Sequence, residues 1–569
     1  MAPPTQRAAD LDLLIIGSGI YAIQAARTYL TLHPTHSITL LEADTCPGGV
    51  WGRNRIYDEF WTQTPLGIHE FSDKPLQLPE GSSVQYEYFQ AKHFTAYLEK
   101  YLDEHVYEGK NLRERIVFNA RVEKLWKEEG LWYAKTNDGK VYTAPKVIDA
   151  SGQTSIPDMP TLPGADTFAG EILHHKDFGR SSLLQTHKRV VVIGGAKSAA
   201  DVAYACAKAG LQVSWVIRKS GNGPAAYFPP ESKISYYSNS NAAFHQRAMA
   251  SLSVCIFTPE SWWTVFLNRT VIGRAFLRTV WGFLQGELYE RADYDREDGK
   301  ENGFKNLKPD TGLFWQNDSS GVTLHPDFFD TFATKVKVYR EDFDHIDKEA
   351  ICLADGTRIE TDAIVYATGW KQTTPYLEPE TAYTLGLATN LSAENPEKAK
   401  KWAALEKVAD AKVLHRFPIL KDPPPCYKAE RKSTPFRLYK SMIPIHDHSI
   451  AFLGKLMMAN HAYCTEVQAL FAVAVLDGVL TLPETAVMQE EVALVRAWQE
   501  RRYPAKGYMG NWFFYDIVPY TDAMLAELRL SSHRTGGMKD FVRPALASNL
   551  RGLLAEYKEN AKQKALSNS

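Results

Sequence analysis

The chain has 569 residues, 44% hydrophobic and 23% charged, an ordinary globular composition with room for several domains and ample core. Lys+Arg 65 against Asp+Glu 67 gives a net charge of -2, without the basic excess of a nucleic-acid binder. The six cysteines stand far apart with no CxxC pair, which argues against a disulfide scaffold or structural zinc; no metal is expected.

In chain order, the N-terminus MAPPTQRAAD has no apolar run of the kind a secretory signal needs. No segment reaches the roughly 18–20 apolar residues that span a bilayer. A cytoplasmic protein is expected, with peripheral membrane contact left open. Leu11–Ile16 then reads as a buried parallel strand. It enters the turn Gly17-Ser-Gly19-Ile-Tyr-Ala22, a helix from Ile23 to Leu32, and a second strand ending at Glu42. The pattern recurs at Arg189–Ile193, Gly194-Gly195-Ala196-Lys197-Ser198-Ala199, a helix through Ala209, and a strand ending at Arg218 and Lys219.

Each copy has a strand before the glycines, a helix after them, and a charged residue about twenty positions on. Such glycines let backbone approach a pyrophosphate seated on free helix N–H groups. Glu42 suits a ribose and repels a 2′-phosphate, whereas Arg218 and Lys219 attract one. The first site therefore reads as FAD and the second as NADPH. Ala196 replaces the middle glycine of the second turn, and Lys197 beside it offers a phosphate contact.

Val147–Gly152 and Ile364–Gly369 are both apolar strands ending in Ser/Thr-Gly, and they bracket the second copy. The expected fold is α/β, with two Rossmann-like dinucleotide-binding domains and a mainly helical, aromatic-rich insertion. The FAD domain is discontinuous (1–180 and 363–540), and the NADPH domain (186–362) sits inside it with the insertion at about 225–308. A C-terminal helix and tail fill 541–569, with an amphipathic stretch at Leu550–Tyr557.

Further residues carry a family resemblance: Gly48-Gly49-Val50-Trp51, Phe71-Ser72-Asp73, Phe168-Ala-Gly170 with His174 and Phe178, Ala367–Trp370, and Tyr515–Ala526. Together, in this order, they resemble class B flavin-dependent monooxygenases, most nearly the dimethylaniline type. Phe178 stands where Baeyer–Villiger members carry Trp, and Arg55–Glu59 does not match their turn after the GGxW element. The resemblance implies NADPH-driven insertion of one oxygen atom from O2 into a lipophilic small molecule through a C4a-(hydro)peroxyflavin. N-, S- and C-oxidation all remain open. Ketone oxygenation of the Baeyer–Villiger kind and a peroxide-making NADPH oxidase are the alternatives within the fold. A disulfide reductase would need a partner for Cys46, and a non-catalytic binding protein would lack flavin.

The resemblance places Gln63 where dimethylaniline-type members carry an active-site Asn, with Thr64 beside it. Gln63 reads either as a catalytic amide or as a plain loop residue. His174 reads equally as a cofactor-repositioning group and as a satisfied linker histidine. Thr465-Glu-Val-Gln468 has capping-box spacing before the apolar run Ala469–Leu476; it reads as a helix start facing the flavin or as an ordinary core helix. Asn460, His461 and Tyr463 are candidate cavity residues. The insertion, rich in aromatics such as Tyr227, Phe228, Tyr236, Trp262, Trp263 and Trp281, reads as a packed subdomain, a substrate lid or an interfacial helix.

Overall fold

A computed structural model describes residues 7–233, 237–315, 321–425 and 431–568, with side chains described from 10 to 563. Tyr236 and Cys426 lie outside the described residues. Two five-stranded parallel sheets organise the chain. The first runs Ile450–Phe452, Val147–Asp149, Leu13–Ile16, Ile38–Leu41, Ile116–Val117. The second runs Glu171–His174, Ala363–Tyr366, Arg189–Ile193, Gln212–Ile217, Val336–Arg340. Leu13–Ile16 is buried at every position, as a strand covered on both faces must be.

In each sheet the strand that opens a glycine turn lies in the middle, and the chain leaves it first to one side and later to the other. That makes a switch point at the carboxyl end of Leu13–Ile16 and another at that of Arg189–Ile193, where open α/β sheets hold ligands. The likeness between the two crossing strands has a structural reason. Gly17 has φ +100°, and a Cβ there would come within 2.7 Å of the Ala150 carbonyl. Gly194 has φ +141°, and its Cβ would overlap the Ala367 carbonyl. Each Ala-Ser/Thr-Gly strand end therefore presses on its own glycine turn. That pressure explains the shared pattern without making the second segment part of the first sheet.

The sheet memberships differ from the expected division at two places. Glu171–His174 and Ala363–Tyr366 both belong to the second sheet, so the strands of that unit run from 171 to 366. Arg7–Asp10, which the sequence pattern did not mark, pairs with Val141–Ala144 in a separate four-stranded sheet.

The helix Ile20–Leu32 packs against His461–Leu476, and every residue of the latter after His461 is buried. The insertion is mainly helical, with Ser240–Phe244, Arg247–Leu252, Trp262–Arg269 and Val271–Ala292. Its Leu267 and Leu277 are buried in the core shared with Ile20–Leu32 and His461–Leu476. No helix among the described residues is long and apolar enough to cross a membrane.

Candidate active site

The helices Ile20–Leu32 and Lys197–Lys208 begin in the same unusual way. Their N-cap residues, Gly19 (φ −73°, ψ −178°) and Ala196 (φ −101°, ψ −177°), are extended and give no side-chain cap. The first N–H groups of both helices stay available to an anion. Extended backbone suits any residue, so alanine at 196 brings no strain.

Both turns open on one cavity of about 1300 Å³. Gly17, Gly19, Glu42, Gly49 and Trp51 line it from the first unit, and Gly194, Gly195, Lys197, Ser198 and Arg218 from the second. Glu42 Oε2 accepts from the Ser18 N–H at 2.8 Å and from its hydroxyl at 2.6 Å, and Oε1 accepts from the Asp44 N–H at 2.8 Å. The carboxylate is thus fixed at the end of its strand, with lone pairs left for a diol. Lys197 is ion-paired with Asp201. Ala22 is fully buried on its helix and does not reach the cavity. Lys219 lies off the cavity too, facing Glu341 at 3.6 Å.

Gln63 and Thr64 also line this space. The Val322 N–H donates to Gln63 Oε1 at 2.6 Å, which orients the amide and leaves Nε2 buried without a protein acceptor. Thr64 Oγ1 donates to Asn460 Oδ1 at 3.0 Å, Asn460 Nδ2 to Asn241 Oδ1 at 2.6 Å, and Asn241 Nδ2 to the Gln63 carbonyl at 2.9 Å. This chain ties the first unit, the insertion and the segment before His461–Leu476 together around one amide donor. Asn241 has no sequence signal: it stands in an aromatic-rich stretch, and only the fold brings it to Gln63.

The expected capping box is not formed. The helix begins at His461 with Asn460 as N-cap, in the left-handed region at φ 51°. Thr465 bonds back to the carbonyls of His461 and Ala462, and Glu466 accepts from Ser72 N–H at 2.6 Å and Ser72 hydroxyl at 2.7 Å. Gln468 is fully buried, donates to the Tyr520 hydroxyl at 2.8 Å and does not line the cavity. Tertiary partners override the local pattern here, because Ser72 offers Glu466 two donors in a dry environment. The helix start still borders the cavity, one turn earlier, through Asn460 and His461. Tyr463 is core.

His174 is also away from the cavity wall. Its Nε2 pairs with the Gly369 carbonyl at 3.0 Å, and its Nδ1 accepts from the Lys176 N–H at 3.2 Å. Two backbone partners fix a neutral tautomer, and burial lowers its pKa. The side chain thereby holds the Thr368–Gly369–Trp370 loop, which does line the cavity.

Glu466 carries a testable charge effect. Burial outweighs Arg27 and the Ser72 bonds and pushes its carboxyl from 4.5 up to about 7. The folded state therefore holds this proton to a higher pH than the unfolded chain does. The associated stability is present in acid and is lost as pH rises from 4.5 through about 7, by about 3 kcal/mol. Glu466→Gln is expected to flatten the fall in melting temperature across that window. An unchanged slope in the variant would assign the titration to another group.

Buried polar atoms without a protein partner concentrate on the cavity wall: Gln63 Nε2, Arg55 Nε, Gln153 Nε2, Asn511 Oδ1, Trp512 Nε1 and both His69 ring nitrogens. Such atoms are costly unless a polar ligand meets them, so the residues present fit a large polar cofactor. Arg55, His69 and Lys176 are wall residues that the sequence pattern did not single out. Burial lowers His69 to about 3, so it is a neutral ring packed 4.8 Å from Trp51. Among the described residues the five cysteines are free, and Cys46 Sγ faces Asn54 at 3.2 Å. His345, Asp347 and Cys352 converge on paired strands with ligand atoms within 4.8 Å, but the Arg358 guanidinium already lies 3.4 Å from Asp347.

Comparison with known proteins agrees with this architecture. A family model described as pyridine nucleotide-disulphide oxidoreductase matches residues 14–243. The FAD-dependent monooxygenase resA of Aspergillus sclerotiorum is 32% identical over 557 residues, covering 92% of this chain and 93% of the relative. The FAD-dependent monooxygenase rstn6 of Aspergillus nomiae is 30% identical over 569 residues, covering 93% and 94%. Among solved structures, a cyclohexanone monooxygenase mutant from Rhodococcus sp. Phi1 bound to NADP+ superposes with a TM-score of 0.62 at 16% identity, over 92% of this chain and 98% of that one. That last likeness concerns the fold. Relatedness across nearly the whole length of both chains, on two nucleotide sheets facing one cavity, places this protein in the family of FAD-dependent monooxygenases, as a class B flavin monooxygenase.

Proposed function

We propose that the protein uses NADPH to insert one oxygen atom from O2 into a lipophilic small molecule by N-, S- or C-oxidation, in the cytoplasm and with peripheral membrane contact. One observation carries the reading: both glycine turns and the aromatic insertion line the same cavity. In this reading the FAD domain, expected at 1–180 and 363–540, gives up the strands at 171–174 and 363–366 to the NADPH domain expected at 186–362, and 541–569 form a terminal helix and tail.

Gly17, Gly19 and Gly49 admit the FAD backbone, Glu42 takes its ribose, and Trp51 walls the ring side. Ala22 keeps the first helix close to its sheet. When bound, FAD supplies hydride acceptance and O2 reduction, chemistry that no side chain provides. Gly194, Gly195 and Ser198 receive the second pyrophosphate. Lys197 and Arg218 supply positive charge, with Lys219 at the outer edge. Phe228, Phe244 and Tyr515 give the cavity an apolar wall that excludes water and suits a lipophilic guest. Gln63 holds a fixed N–H donor toward the reacting region, steadied by Val322. Thr64, Asn460 and Asn241 keep the loop behind it in place, and His174 acts as a positioning residue for the Gly369 loop.

Purified protein is expected to show flavin absorption and to consume NADPH and O2 in equal amounts with little H2O2 once a substrate is supplied. H2O2 equal to the NADPH consumed, with every substrate tried, would leave an oxidase. Arg218→Ala is expected to narrow the preference for NADPH over NADH by about 10- to 150-fold, the worth of one charge-assisted contact. An unchanged ratio of kcat/KM values for the two nucleotides would remove Arg218 from the 2′-phosphate site.

A further inference from the structure

The insertion divides into two parts with opposite faces. Phe228, Ser240, Asn241, Phe244 and His245 line the cavity. The helices Trp262–Arg269 and Val271–Ala292 instead present large apolar side chains to solvent: Trp262 is 81% exposed, Val271 75%, Ile272 72%, Phe283 66% and Phe276 44%. At 100° per residue, Ile272, Phe276, Thr279 and Phe283 fall within about 60° of one another on their helix. The opposite side of that helix, through Gly273, Leu277, Trp281 and Leu288, is buried. This is a continuous ridge, not scattered surface residues, and such ridges mark interaction sites.

The charge around it is one-sided. Between Glu260 and Glu287 there is no acidic residue, whereas Arg269, Arg274 and Arg278 lie in that span. Beside the ridge, the helices Trp262–Arg269 and Pro396–Arg416 enclose a shallow groove of about 800 Å³. Its wall holds Arg269, Lys407, Lys412, His415 and Arg416, with Glu260 as the one acid. Arg269 bonds Glu260 at 2.6 Å, and Lys412 approaches Glu490 at 3.7 Å; exposed pairs of this kind are weak and exchange readily with other anions. Val408, 58% exposed, adds an apolar side chain to the groove wall.

We propose that this face docks on an anionic lipid bilayer, with the ridge at acyl depth and the basic groove at the phosphate level. An exposed Trp beside arginines suits the headgroup boundary. The basic rim is complementary to an anionic leaflet, where each cation adds to the attraction. A second copy of this chain would bring the same arginines face to face, which the one-sided charge opposes. The inference deepens the reading of a lipophilic substrate and peripheral contact, since a bilayer concentrates such compounds, but it does not depend on the oxygenase chemistry.

The test is co-sedimentation of the full-length holoprotein with vesicles of phosphatidylcholine containing about 30% phosphatidylserine. Wild-type protein is expected to bind these vesicles, to bind pure phosphatidylcholine much more weakly, and to release partly in about 0.5 M salt. Replacing Trp262, Ile272, Phe276 and Phe283 together by Ser is expected to lower the partition coefficient at least roughly tenfold. Lys407→Glu with Lys412→Glu is expected to remove the preference for anionic vesicles. Flavin absorption and NADPH oxidation without vesicles are expected to remain unchanged in both variants, because these side chains are exposed and lie away from the cavity.

No binding by wild-type protein would overturn the proposal, as would equal binding by wild type and the four-serine variant. A solution dimer that dissociates in that variant would overturn it in favour of self-association. Vesicle binding by a protein that oxidises no NADPH would sink the oxygenase reading alone.

Discussion

Gly19→Val is expected to give a folded protein that emerges colourless, with at least a hundredfold weaker hold on FAD as an order of magnitude. The residue is extended at φ −73°, and a Cβ there meets only the Gly49 Cα, at 3.8 Å. The fold therefore has room for a Cβ at this position. What the branched side chain obstructs is the approach of a pyrophosphate to the free N–H groups of Ile20–Leu32. Gly17→Val makes the contrast, since φ +100° and a Cβ 2.7 Å from the Ala150 carbonyl damage the backbone before any ligand arrives. The two are separated by melting temperature alongside the flavin band. Normal flavin content in Gly19→Val would refute the first cradle as the FAD site.

Gln63→Ala is expected to retain FAD and still oxidise NADPH, while oxygenated product per NADPH falls by about 10- to 150-fold, the worth of a hydrogen bond to a charged partner. The missing product is expected to reappear as H2O2. The reason is directional: Val322 fixes Oε1, so Nε2 is a donor with nowhere else to turn. Alanine also deprives the Val322 N–H of its acceptor, so a second variant is needed. Gln63→Glu keeps an oxygen for Val322 and replaces the donor by an acceptor. Equal uncoupling in both variants supports the donor role. Loss in Ala with full coupling in Glu would mean that Gln63 only braces the Gly321–Val322 strand.

The nucleotide folds were readable because their constraints are local. Arg189–Ile193 is a strand with the bounds the sequence marks, and both glycine turns combine a special backbone with a following helix. The helix at His461 shows where local reading fails. Thr465 and Gln468 have capping spacing, but Ser72, distant in sequence, takes Glu466, and Thr64 and Asn241 take the side chain of Asn460. His174 is similar: its linker pattern was visible, whereas its bond to the Gly369 carbonyl depends on two strands meeting in the second sheet. The insertion was legible as aromatic and helical. Its division into a cavity-lining part and an outward ridge was not, since both parts have similar composition and differ only in what packs against them.

By itself, the amino-acid order settled the paired dinucleotide folds, the acidic end of one strand against the basic end of the other, and the class of chemistry. The folds and the strand-end charges follow from backbone geometry and sequence within some thirty residues of each turn, and the class of chemistry from the family resemblance carried by motifs spread between Gly48 and Ala526. Tertiary structure decided which side chains share the cavity, which amide is left with a free donor, and which apolar face meets solvent. Each of those is a relation between distant segments, fixed by burial and by competition for hydrogen-bond partners.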